Sequence, residues 1–158
     1  LQTLLGNDAD ANARSAGGLP PLQRVLGMSI GGTPEQLVLL GVLLEHGADP
    51  SLTDDTGMTA LMYAAAHDNA PAVHMLFDAG AAPDGVSPNS VNLDGIDREG
   101  KTALHHAALH GAANAAAALL DAGANASLRD ADGNLPIALA PDTQSGKTLK
   151  EPLATGPR

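Results

Sequence analysis

The apolar residues of this chain come in short clusters, cut at regular intervals by Gly, Asp and Pro. Three clusters end alike: Leu43-Leu44-Glu45-His46-Gly47-Ala48-Asp49, Leu76-Phe77-Asp78-Ala79-Gly80-Ala81-Ala82 and Leu119-Leu120-Asp121-Ala122-Gly123-Ala124-Asn125. A fourth opens the chain as Leu4-Leu5-Gly6-Asn7-Asp8-Ala9-Asp10, with Asp8 in place of the Gly. A second motif alternates with this one: Asp54-Asp55-Thr56-Gly57-Met58-Thr59-Ala60-Leu61, then Asp97-Arg98-Glu99-Gly100-Lys101-Thr102-Ala103-Leu104. Weaker copies are Gly18-Leu19-Pro20-Pro21-Leu22 and Asp130-Ala131-Asp132-Gly133-Asn134-Leu135-Pro136-Ile137. Leu22, Leu61, Leu104 and Ile137 share one place in it, at intervals of 39, 43 and 33 residues. A fixed period of this kind marks a stack of supersecondary units, none of which buries its apolar face alone. The last interval is the undisturbed one; the other two carry insertions.

Each recurring residue has a local reason to be there. Thr59 and Thr102 are placed to cap a first helix through their hydroxyls. Leu61 and Leu104 point inward from it, and Ala64-Ala65 and Ala107-Ala108 are small enough for neighbouring units to close up. Leu76-Phe77 and Leu119-Leu120 supply the apolar face of a second helix. Gly47, Gly80 and Gly123 are expected to end that helix in the left-handed conformation. Thr33-Pro34-Glu35-Gln36 reads as another helix start, with Thr33 as N-cap, Pro34 in the first turn and Gln36 closing a capping box. Asn69 and Pro71 begin the next second helix. Pro141 cuts the last first helix to little more than Pro136–Ala140.

Composition narrows the picture. Two residues in 158 are aromatic, Tyr63 and Phe77, and there is no Trp, so the core rests on Leu, Val, Met and much Ala. The net charge is -10, which suits neither nucleic-acid phosphates nor an anionic membrane surface, and favours a basic partner. With no Cys there is no disulfide and no Cys-based zinc site, and cytoplasmic, periplasmic and secreted locations all remain open. The longest apolar run, Leu37 to Leu44, is far below membrane-spanning length. Leu1 reads as a processing site or a boundary within a longer chain.

Together these motifs resemble the ankyrin repeat over roughly Leu4 to Ala140, most closely from Asp97 to Leu128. The resemblance implies an all-α solenoid of stacked antiparallel helix pairs joined by β-turn or hairpin loops. It divides residues 1–141 into a partial repeat at about 1–14, full repeats at 15–53, 54–96 and 97–129, and a partial one at 130–141. Residues 142–158 form a flexible or capping tail. It also implies that a partner protein binds on the concave side, made of turn tips and first helices. By position those residues are Asp55, Thr56, Met58, Arg98, Glu99, Lys101, Asp132 and Asn134, with Ala131 beside them. The helix ends add His67, Leu109 and His110. Arg98, Lys101 and His110 then form a basic spot on an acidic protein.

Two insertions interrupt the period, at about 27–32 and 83–96. Such insertions fall on one face and often reach a ligand, and Val86, Val91, Leu93 and Ile96 make the second more apolar than a bare loop requires. His106 and His110 are four residues apart, a metal-ligand spacing, with Asp97 or Glu99 within range. No further motif element accompanies the pair, so no metal ligand is assigned. By the resemblance His105 takes the place of a structural histidine that bonds between neighbouring turns, and His106 lies half-buried, level with Tyr63. Asp54-Asp55 and Asp130/Asp132 are paired carboxylates, but turn chemistry accounts for them. No nucleophile elbow or phosphate-cradling glycine loop is present; Gly146-Lys147-Thr148 lacks the first Gly of such a loop. The reading is a non-enzymatic, cofactor-free module that binds another protein as an adaptor or an inhibitor or immunity-type binder, with the oligomeric state open and a monomer favoured. One alternative is a spacer or assembly scaffold within a larger polypeptide, and another is a His-based metal-binding protein.

Overall fold

The structure, a computed structural model, describes residues 10–28, 32–80 and 91–141. Seven helices are formed among them: α1 Pro21–Leu26, α2 Pro34–Glu45, α3 Ala60–Ala66, α4 Ala70–Gly80, α5 Ala103–Leu109, α6 Ala113–Asp121 and α7 Pro136–Leu139. There is no strand among the described residues; one isolated antiparallel bridge joins Thr53 to Thr59.

Helices α1/α2, α3/α4 and α5/α6 pack as pairs, and the pairs stack. The first helices α1, α3, α5 and α7 make one row of contacts, and the second helices α2, α4 and α6 make another. Alanine sets the spacing. Ala60, Ala64, Ala65, Ala72, Ala107, Ala108, Ala115 and Ala116 are buried, with Leu22, Leu61, Leu104, Leu40, Leu76 and Leu119 filling the space between rows. Small side chains let backbones approach, and the leucines then supply the apolar area, about 25 cal/mol for each Å² removed from water. Neither ring is central: Tyr63 and Phe77 are both half-buried.

Helix starts follow the sequence in part. The Thr33 hydroxyl accepts the Gln36 amide at 3.2 Å, and that of Thr59 accepts the Met62 amide at 3.3 Å. Asn69, wholly buried, accepts the Ala72 amide at 3.0 Å and so begins α4. Three details differ from expectation. Gln36 does not close a capping box; it is buried, donates to the Val25 carbonyl at 2.7 Å and accepts from Asn69 Nδ2 at 3.0 Å. Its amide is worth more sealing a helix junction inside the stack than saturating one exposed N–H. The Thr102 hydroxyl lies 2.9 Å from His105 Nδ1, which also accepts the Thr102 amide, so the cap is shared with an imidazole. Gly47 and Gly123 are left-handed, with φ of 80° and 97°, but Gly80 is the last residue of α4. A Cβ at Gly80 would lie 2.7 Å from the Val91 amide nitrogen, so close packing requires this glycine.

Candidate protein-binding surface

The turn tips are built by one device used three times. Asp54 Oδ1 accepts the amides of Thr56 and Met58 at 2.8 and 3.0 Å. Asp97 Oδ1 accepts those of Glu99 and Lys101, both at 2.9 Å. Asp130 Oδ1 accepts those of Asp132 and Asn134 at 3.1 and 2.8 Å. Burial raises the pKa of each carboxyl, but these hydrogen bonds outweigh it and hold all three below the usual aspartate value. The first aspartate of each of these three turns is therefore structural.

Successive tips are then joined through the backbone. The Arg98 amide donates to the Thr56 carbonyl at 3.1 Å, and the Ala131 amide to the Glu99 carbonyl at 2.9 Å. Gly57 and Gly100, at φ 88° and 74°, stand against these contacts. A Cβ at Gly57 would lie 3.0 Å from Arg98 N, and one at Gly100 2.7 Å from Ala131 N. On the helices, His105 completes the link: its Nδ1 accepts from Thr102, so Nε2 carries the hydrogen and donates to the Asn134 carbonyl at 3.1 Å. Gln23 holds the same place on α1 and donates from Nε2 to the Leu52 carbonyl.

On this frame the expected contact residues fall into two groups. Asp55, Arg98, Glu99 and Asp132 are exposed at the tips, and Leu109 and His110 are exposed at the end of α5, Leu109 by 45%. The others are partly used by the fold. Thr56 is exposed, but its hydroxyl donates to Asp54 Oδ1 at 2.7 Å, and the Asn134 amide donates to Asp130 Oδ2 at 3.2 Å. Met58 packs against the core. His67 is half-buried, stacked on Tyr63 with ring centroids 6.4 Å apart. Lys101 pairs with Glu99, whose hydrogen bond raises the lysine pKa, and its side chain is only 16% exposed. The basic spot is thus not three free cations: Arg98 is open, Lys101 is neutralised, and His110 donates from Nδ1 to the His106 carbonyl at 2.9 Å.

Met28, 73% exposed, escaped the sequence reading. It holds the place of His67 one unit earlier, 39 residues away, and that interval was the signal that could have found it. Of the second insertion, Val86 lies outside the described residues. Val91 and Leu93 pack against the core, which accounts for their apolar character, while Ile96 is 64% exposed.

The histidines have internal partners. His106 is buried, at 8% exposure, and its Nε2 lies 2.8 Å from Asp97 Oδ2. Both ring nitrogens of His105 are engaged. Among the described residues no group of three or more His, Asp or Glu is placed to hold a metal ion, and no helix is long and apolar enough to cross a membrane.

A family model described as ankyrin repeats matches residues 35–130 in three copies. Compared with curated proteins, the chain matches none.

Proposed function

The chain belongs to the ankyrin-repeat family, and on that footing we propose that it holds a partner protein against its turn tips and first-helix ends. Ankyrin repeats are generally protein–protein interaction modules, and the family is typically non-enzymatic. One observation carries the reading. In each of these three turns the backbone and the first aspartate do the structural work, leaving Asp55, Arg98, Glu99 and Asp132 exposed on a cross-linked frame. A rigid frame with exposed side chains binds without a large ordering cost. Leu109 and His110 extend the surface along α5, where an exposed aliphatic side chain next to polar groups suits a protein interface.

The test is a pull-down from the native source with the wild type and with Arg98→Ala/Leu109→Ala/His110→Ala. Lys101 is left in place because it is tied to Glu99. Capture of one protein by the wild type and its loss from the triple variant, with an unchanged melting temperature, supports the proposal. Equal capture by both moves the contact elsewhere and removes it.

A further inference from the structure

The turn before α1, residues 15–19, lacks the device that the other three share. Ser15 stands 39 residues before Asp54, in the place of the keystone aspartate. Among the described residues the amides of Gly17 and Leu19, the counterparts of Thr56 and Met58, reach no acceptor. What remains inside the turn is the Ser15 amide on the Leu19 carbonyl at 3.1 Å and the Gly18 amide on the Ser15 carbonyl at 2.9 Å. Arg14 adds an exposed bond to the Gly18 carbonyl, which Arg129 repeats on Gly133. The link to the next tip is also missing. Arg98 and Ala131 donate their amides to the tip before them, but the Asp55 amide, in the same place, donates to no carbonyl, although Asp55 stands against Gly18. At the helix, Gln23 takes the place of His105, whose Nδ1 receives the amide hydrogen of the N-cap Thr102. The N-cap of α1 is Pro20, which has no N–H to give and makes no side-chain cap. Gln23 Oε1 is accordingly buried without a partner. Gln23 Nε2 still ties α1 to the Leu52 carbonyl, so the well-anchored part of this repeat begins after Pro20.

We propose that residues 15–19 form a flap, a turn that opens locally while the turns of Asp54, Asp97 and Asp130 stay closed. Local opening is set by how few bonds and buried contacts hold a segment, and here both are short. Leu19 does not pack into a filled core: with Ala13, Val25, Leu39 and Leu43 it lines an open apolar cavity of about 290 Å³. When the flap opens, Leu19 lifts away and the wall made by Val25, Leu39 and Leu43 is uncovered. Lying at one end of the stack is not the cause. The turn before α7 lies at the other end of the described residues, yet it keeps its keystone Asp130, the Ala131 link and the His105 bond. The flap borders the proposed binding surface at Asp55 but does not depend on it.

Amide hydrogen exchange of the full chain at neutral pH, read by NMR as protection factors, tests this at one bond that all four turns share. The amides of Gly18, Gly57, Gly100 and Gly133 each donate to the first residue of their turn, at 2.9, 3.1, 3.0 and 3.0 Å, so bond length does not separate them. Gly18 is expected to be protected at least about tenfold less than the other three, the effect of two missing hydrogen bonds of ordinary strength. Ser15→Asp supplies the missing keystone. It is expected to raise Gly18 protection several-fold and to slow exchange at Gly17 and Leu19, while Ser15→Ala changes none of them. Protection at Gly18 equal to that at Gly57 and Gly100 overturns the proposal. So does protection at Gly133 as low as at Gly18, which would mean that both ends simply fray. Low protection at Gly18 that Ser15→Asp leaves unchanged overturns it as well, because the absent keystone would then not be what frees the turn.

Discussion

Asp68 caps a helix that is not its own: its Oδ1 accepts the amide of Ala115, in the first turn of α6, at 2.9 Å. Oδ2 accepts the Asn114 side-chain amide at 2.8 Å. Helix α6 needs this help because its own N-cap is Ala112, which offers no acceptor. To reach across, Asp68 adopts φ 53°, the one left-handed non-glycine conformation among the described residues. The same place in the next repeat, 43 residues on, is Gly111 at φ 67°, where no such cap is made. Strain at one residue is thus exchanged for a bond between repeats. Asp68→Ala loses the cap and keeps the strain, and is expected to destabilise by about 1–2 kcal/mol. Asp68→Gly loses the cap but relieves the strain, and is expected to lie within about 1 kcal/mol of the wild type. Urea denaturation gives both values; equal losses in the two variants would show that the backbone strain is not real.

The glycines separate space from conformation. Gly100 and Gly123 are both left-handed, but a Cβ at Gly123 meets nothing within 4 Å, whereas one at Gly100 meets the Ala131 backbone. Gly123→Ala is expected to cost about 1–2 kcal/mol, the penalty for a left-handed alanine. Gly100→Ala must also displace the Ala131 amide from the Glu99 carbonyl and is expected to cost about 1 kcal/mol more. Thermal melts of the two variants check the order.

Much of this architecture can be read from the repeat alone. Thr33, Thr59 and Asn69 start helices where local capping chemistry places them, and His105 links neighbouring turns as expected. The resemblance also named exposed residues correctly at Arg98 and Leu109. What it missed involves choices between partners of similar strength. Gln36 could have bonded its own N-cap, but burial against Val25 and Asn69 decided otherwise. Gly80 could have ended a helix by turning left, yet Val91 packs onto it from a different part of the chain. Lys101 reads as a surface cation until Glu99, two residues away across the turn, is seen to hold it. Local pattern specifies which groups need partners, and the stack selects which ones they receive.

Gln36 and Asn69 should behave as one unit. Each is buried, and their side-chain bond spans two repeats at 3.0 Å. Asn69→Ala strands Gln36 Oε1 and also uncaps α4, so a loss of roughly 2–4 kcal/mol is expected. Gln36→Leu strands the Val25 carbonyl and Asn69 Nδ2, and about 1–3 kcal/mol is expected. The double variant is expected to lose less than the sum of the two, because each single change leaves the other group unpaired. Additive losses in a double-mutant cycle would show that the two side chains do not interact.

The three tip aspartates predict the acid limb of stability. Their folded-state pKa values lie below 3.8, so the stabilisation they supply is complete above that value and is lost as pH falls through the lower folded values. Unfolding below about pH 4 is therefore expected to be steep in the wild type. Asp54→Asn combined with Asp97→Asn is expected to be less stable at pH 7 but to show a shallower acid limb. Melting temperatures from pH 7 to pH 2 measure the slope, and identical slopes would mean that these carboxylates do not drive the transition.

Tyr63 offers a direct optical check on the same turn, since it is the only tyrosine in the chain. Burial raises its pKa first, and its hydrogen bond to Asp54 raises it further, to about 12. Ionising the phenol would place two negative charges within hydrogen-bonding distance of each other, at 2.9 Å between the oxygens. The phenolate absorbance is therefore expected to stay absent well above pH 10 and to appear near 12, or earlier if alkaline unfolding releases the ring. Asp54→Asn removes the neighbouring charge while retaining an acceptor, so ionisation is expected at a lower pH than in the wild type. A wild-type midpoint at the ordinary tyrosine value, with the helical circular dichroism intact, would mean that the Tyr63–Asp54 bond is not formed.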